Sequence, residues 1–94
     1  SGNIVQGGFI TGWLDAVMAL ACMCKVGPEV LVLSLEIKTS FLRSVHPGEV
    51  KVFGKVTKAG RSIAFLEGFL TDNENNILAK ANQTVKLVKN FYKI

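Results

Sequence analysis

At 94 residues and 10.2 kDa the chain has the size of one domain, so a single domain over residues 1–94 is expected. With 49% hydrophobic and 19% charged residues it is too apolar for a disordered tail or a purely electrostatic binding arm. The net charge of +4 comes from lysines scattered through the second half (Lys51, Lys55, Lys58, Lys80, Lys86, Lys89 and Lys93), not from a basic stripe interleaved with aromatics, which argues against nucleic acid as a partner. Those lysines read either as solvated strand faces or as the counterpart of a phosphate-bearing small ligand. Cys22 and Cys24 cannot form a multi-bridge scaffold, would be strained by a bridge between them, and have no nearby histidines with which to build a zinc site. No metal is expected, and the cytoplasm is the expected compartment.

In chain order, residues 9–24 are nearly all apolar, lack proline and run into Lys25-Val26-Gly27-Pro28, a helix-stop signature. The run falls short of the roughly 20 apolar residues of a membrane span and carries Asp15 near its middle. No basic leader of the kind that opens a signal peptide stands before it, so no membrane is expected as a partner. A helix apolar on every side is expected to be buried and wrapped. Leu31, Leu33, Leu35 and Ile37 alternate with Ser34, Glu36 and Lys38, a half-buried strand whose leucines face inward. After the His46-Pro47-Gly48 turn, Val50, Val52 and Val56 alternate with Lys51, Lys55 and Thr57. Ala59-Gly60-Arg61 marks another turn, and Ser62 to Leu70 reads as a third strand. The polar cluster from Thr71 to Asn76 closes a hairpin. A last strand sets Ile77, Ala79, Ala81, Val85 and Leu87 against Lys80, Asn82, Thr84 and Lys86. Turns this closely spaced leave no room for βαβ crossovers. The fold class is α+β: one central helix wrapped by a long curved antiparallel sheet.

Asp15 is the only charged residue among the first twenty-four. An unpaired carboxylate on an apolar helix is costly, so it either caps or bridges to a neighbouring strand's lysine, faces water, or works on a substrate. Gln6-Gly7-Gly8 opens the helix. The glycine pair reads either as a tight turn or as backbone N–H groups placed at the positive end of the helix dipole, where they can hold a developing oxyanion. A carboxylate and an oxyanion donor are the two parts that acyl hydrolysis needs.

Gln6-Gly7-Gly8, Leu14-Asp15-Ala16, Phe41-Leu42-Arg43, Pro47-Gly48 and Gly60-Arg61-Ser62 before a strand with Glu67 resemble, in that order, the hotdog-fold acyl-CoA thioesterases of the phenylacetic-acid-degradation type. The resemblance runs from about residue 4 to residue 88. It implies a hotdog fold, a homodimer with sheets paired edge to edge (often a homotetramer as a dimer of dimers), and hydrolysis of an acyl-CoA with no separate cofactor, coenzyme A being part of the substrate. It implies that Asp15 is the catalytic carboxylate, that the Gly8 or Gly7 N–H polarises the thioester carbonyl, and that the two come from opposite subunits. Gly8 and Asp15 are indeed separated by about 10 Å of helix rise, too far to flank one carbonyl within a single chain. Gln6 stands where the family usually has histidine, and can donate a hydrogen bond but not act as an acid or base at neutral pH. The hydroxyl that some members place one turn beyond the acid is replaced by Ala19, and only Ser1 to Val5 precede the glycine pair, so the family's first strand is expected to be truncated.

The resemblance also brings Arg61 and Ser62, and with them Lys58, toward the nucleotide end of coenzyme A; a solvated turn is the competing reading for these residues. Trp13 reads as core, as dimer packing or as lining of an acyl pocket. His46, Asn73, Asn75 and Asn76 read as turn residues, and Cys22 and Cys24 as small core residues. Two function classes follow. One is an acyl-CoA thioesterase in which Asp15 is general base or nucleophile. The other is a non-catalytic hotdog domain that binds acyl thioesters or serves as a dimerisation module, a reading that Gln6, Ala19 and the short start support.

Overall fold

A computed structural model describes residues 5–46 and 48–89. Helix α1 (Gly7–Val26) precedes four strands, β1 (Val30–Phe41), β2 (Lys51–Ala59), β3 (Ile63–Thr71) and β4 (Ile77–Lys89). The strands form one antiparallel sheet in the order β1-β4-β3-β2, the helix-plus-sheet arrangement expected from the periodicity. Residues 1–4, where most of the truncated first strand was expected, and Pro47 of the second turn lie outside the described residues.

The helix extends past both ends of the apolar 9–24 run. It stops where Gly27 takes φ 93°, a conformation open to glycine, and donates its N–H to the Met23 carbonyl at 2.9 Å. Lys25 in the last turn suits the negative end of the helix dipole. Ile10, Leu14, Met18 and Cys22 recur every fourth residue and form the buried stripe. They share one core with Ala64, Leu66, Leu70, Ala79, Ala81, Val85 and Leu87 from the sheet. Two strand glycines bring the layers together. A Cβ on Gly68 would sit 3.0 Å from Met18 Cγ, and one on Gly54 would strike the Val17 carbonyl of the helix backbone.

Two expectations are corrected here. The sheet packs on α1 as expected, but the helix is not buried on every side: Phe9 is 62% and Leu20 59% exposed, with Trp13 and Met23 also open. One four-stranded sheet offers a single face, which covers one stripe of the cylinder and leaves the other to solvent. By length and composition α1 could also cross a membrane, yet its buried stripe is seated on the sheet as that of a core helix. The inward face of β1 is also different. Register against β4 pairs Val32 with Leu87, Ser34 with Val85, Ile37 with Gln83 and Thr39 with Ala81, so Val32, Ser34, Ile37 and Thr39 face the helix. Leu33 and Leu35 are 42% and 56% exposed. The cause is an irregularity between Ser34 and Glu36, where one extra residue switches the alternation and turns Ser34 inward without drawing Glu36 in after it.

The β3–β4 turn forms as its composition indicates. The Asp72 carboxylate accepts from the Glu74 N–H (2.9 Å), the Asn76 N–H (2.9 Å) and Asn76 Nδ2 (3.0 Å), while Asn75 adopts φ 65°. The Asn76 side-chain amide, seconded by the backbone donors, holds the Asp72 carboxyl below the usual carboxylate range. Asn73 does more than form a turn: its Nδ2 donates to Glu49 Oε2 at 2.7 Å and ties this turn to the segment before β2.

Candidate functional site

Asp15 projects from the flank of α1 that faces β4 and β1, one residue past the buried Leu14. Its partner is not a lysine. Gln83 Nε2 donates to Asp15 Oδ1 at 2.8 Å and to Ser34 Oγ at 2.7 Å. Gln83 is only 4% exposed, on the helix-facing side of β4 between Ala81 and Val85. A carboxylate only accepts hydrogen bonds, so the amide nitrogen must face Asp15, and both of its hydrogens are committed. The carbonyl Oε1 is buried with no hydrogen-bond partner among the described residues. One turn before Asp15, Thr11 Oγ1 lies 3.4 Å from Thr39 Oγ1, a direct polar contact between this flank of the helix and β1.

The helix start lies elsewhere on the same chain. Gln6 is extended and its side chain makes no cap; its carbonyl accepts from the Phe9 (3.1 Å) and Ile10 (3.3 Å) N–H groups. Gly7 and Gly8 precede that pair, at the position where helical N–H groups have no intrahelical acceptor. Gly8 is exposed, with open space where a Cβ would stand, whereas a Cβ on Gly7 would sit 3.0 Å from the Phe41 ring. Gly7 borders a cavity of about 560 Å³ lined by Val5, Ile10, Phe41, Arg43 and Val45. Asp15 and Gly8 are thus both placed for chemistry but are not brought together within one chain, since about 10 Å of helix rise separates them.

Trp13 lies two residues before Asp15, about 200° around the helix, so it points away from the carboxylate of its own chain. Lys58, Arg61 and Ser62 are exposed at the β2–β3 hairpin, where the Gly60 N–H donates to the Ile63 carbonyl and the Ser62 carbonyl accepts from Leu87. Glu67 lies on the outer face of the sheet, 3.4 Å from Lys55. Cys22 is core, and burial pushes its thiol pKa up; Cys24 is exposed, which corrects its assignment to the core. His46 is exposed in the segment between β1 and β2. No group of three or more His, Cys, Asp or Glu that could hold a metal stands together among the described residues.

Sequence reasoning singled out Asp15 but missed Gln83 and Ser34. The signal for Gln83 is a gap: the apolar alternation of β4 skips position 83, leaving a polar residue on the inward side of a strand otherwise lined by Ala79, Ala81, Val85 and Leu87. Ser34 shows no such signal, because its orientation depends on the bulge beside it.

Comparison with known proteins gives a consistent picture. The family model of the thioesterase superfamily matches residues 2–79. TV1331 of Thermoplasma volcanium, named an esterase by inference, is 31% identical over 80 residues, which cover 85% of this chain and 59% of that protein. The chain therefore spans less than two-thirds of that relative's length. A phenylacetic acid degradation-related protein of Ralstonia eutropha JMP134 superposes with a TM-score of 0.83 at 25% identity, over 89% of this chain and 63% of the other. BH2602 of Bacillus halodurans, solved with CoA, superposes with a TM-score of 0.85 at 14% identity, over 92% and 61% of the two chains, a likeness of fold.

Proposed function

The chain belongs to the thioesterase superfamily, and from that premise we propose that it is a thioester hydrolase acting on an acyl-CoA, with a site completed at a homodimer interface. The observation that carries this reading is the Asp15 carboxylate, held on an otherwise apolar helix by the buried Gln83 amide. Gln83 occupies Oδ1, which leaves Oδ2 for work.

As general base, Asp15 takes a proton from water while the resulting hydroxide adds to the thioester carbonyl carbon. The carbonyl π electrons move to oxygen, and the Gly8 N–H of the partner subunit holds that oxyanion at the positive end of its helix. Collapse reforms the carbonyl and breaks the C–S bond; the departing thiolate takes the proton back from Asp15, and the free acid and coenzyme A leave. Direct attack by Asp15 would pass instead through a mixed anhydride that water then opens. Gln6 contributes a hydrogen bond at most, and Lys58, Arg61 and Ser62 at the hairpin offer charge and hydrogen bonds to the nucleotide phosphates.

The test is hydrolysis of a panel of acyl-CoAs, followed by release of free thiol, with wild type and Asp15→Asn. Asn keeps the size and polarity of Asp15 while removing its basicity. Turnover is expected to fall at least about a hundredfold, the lower end of general-base contributions, with folding and acyl-CoA binding near wild type. Unchanged turnover in Asp15→Asn would remove Asp15 from the chemistry, and binding with no hydrolysis by wild type would hand the chain to the non-catalytic reading.

A further inference from the structure

We infer that Gln83 is the positioning residue of the Asp15 carboxylate: its two amide hydrogens clamp Asp15 Oδ1 to Ser34 Oγ and so fix which carboxylate oxygen faces the substrate. The inference rests on the proposed catalytic role of Asp15 and adds to it a residue on another element. Three observations support it. The Nε2 contacts, 2.8 Å to Asp15 and 2.7 Å to Ser34, use both donors of one nitrogen and span the helix and β1 from β4. Gln83 is 4% exposed while its Oε1 lacks a partner among the described residues, so the side chain is poorly suited to mere filling; an apolar residue of equal length would fill the same space with no orphaned acceptor. Finally, Ser34, although solvent-exposed, stands on the helix-facing side of β1 just before the irregularity, with its hydroxyl in reach of the same amide as a second anchor.

The clamp works by restricting rotamers. An aspartate side chain on an exposed helix flank samples several orientations, and a base is effective only in the one that meets the reacting atom. Tying Oδ1 to a buried amide leaves Oδ2 in a single position. The charged neighbours do not share the task. From the inward faces of the sheet, β1 presents Ser34 and Ile37, β3 presents Leu66 and Gly68, and β2 presents Gly54 and Val56, whereas Glu36, Lys38, Lys55, Glu67, Asn82 and Lys86 belong to the outer face. On α1 the other described titratable groups, Cys22, Cys24 and Lys25, lie about two turns or more beyond Asp15.

The test compares Gln83→Met and Gln83→Glu with wild type and Asp15→Asn on the same acyl-CoA. Gln83→Met keeps the length of the side chain and removes both donors. It is expected to lower kcat about tenfold or more with KM within about twofold, the split that marks a loss confined to the reacting state. Gln83→Glu places a second carboxyl against Asp15. Turnover should be lowest where both are ionised and recover as falling pH lets the pair hold one proton, because the introduced carboxyl is then again a donor. Gln83→Met should show no such recovery, and circular dichroism over the same pH range separates a restored donor in Gln83→Glu, where the fold is constant, from refolding on protonation of a buried carboxylate. Wild-type kcat in Gln83→Met beside an inactive Asp15→Asn would overturn the clamp and leave catalysis by Asp15 standing. An active Asp15→Asn would remove the catalytic reading beneath it. If the position 83 variants do not fold, the Gln83 side-chain amide resonances of wild-type protein decide. Protons slow to exchange, and shifted by Asp15→Asn, support the clamp; protons in free exchange, at the shifts of solvated glutamine, overturn it.

Discussion

Asp72 and Asp15 are both held by amide donors, yet they differ in how they could be recognised from the sequence. Asp72 has its three donors within four residues along the chain, so the polar run from Thr71 to Asn76 announces the turn directly. Because its folded carboxyl lies below the usual range, the folded state binds fewer protons there than the unfolded chain. Its stabilising contribution is therefore complete above the unfolded carboxylate pKa and fades as pH falls through the folded one. Urea denaturation should find Asp72→Ala less stable than wild type at neutral pH, with the gap closing at strongly acidic pH; a gap of constant size would mean that the turn is held by shape alone. Asp15 was legible because a charge inside an apolar run is conspicuous. Gln83 was not, since its partner lies sixty-eight residues away and a neutral amide in an alternating strand attracts no notice until the facing helix is known.

At the level of elements, each strand and the helix could be read from periodicity and turn residues, while the direction that β1 faces could not. Its leucines alternate as a buried face would, and only pairing with β4 reveals the extra residue that reverses the alternation after Ser34. The contact between α1 and β2 was equally hidden, because Gly54 reads as a weak point in a strand and not as the place where a helix backbone arrives. Adding a methyl group there forces the Val17 carbonyl away. Gly54→Ala is expected to cost about 1–3 kcal/mol, the range for overpacking. In a domain of this size each kcal/mol lowers Tm by about 4–8 °C. Gly12→Ala, in open space on the same helix, is the control and should gain up to about 1 kcal/mol from helix propensity. Thermal melts showing equal shifts for the two would mean that the layers are free to separate.

For the whole molecule, the stripe left open on α1 and the separation of Gly8 from Asp15 lead to the same expectation. Phe9, Trp13, Leu20 and Met23 form an apolar band that a lone chain leaves in water, and the proposed chemistry needs a second copy to bring an oxyanion donor to Asp15. Sedimentation should find a dimer or tetramer at micromolar concentration, and a stable folded monomer would exclude the shared site. The sheet order β1-β4-β3-β2 has a further effect, one of timing. Val30 pairs with Lys89, so β1 finds its neighbour only when β4 has left the ribosome. The β2–β3 and β3–β4 hairpins can close as they emerge, whereas β1 and the apolar helix made before it must wait without their natural cover. Of the described elements, α1 and β1 wait longest and are the most open to misassociation during synthesis, and the cell's chaperones would meet the chain there.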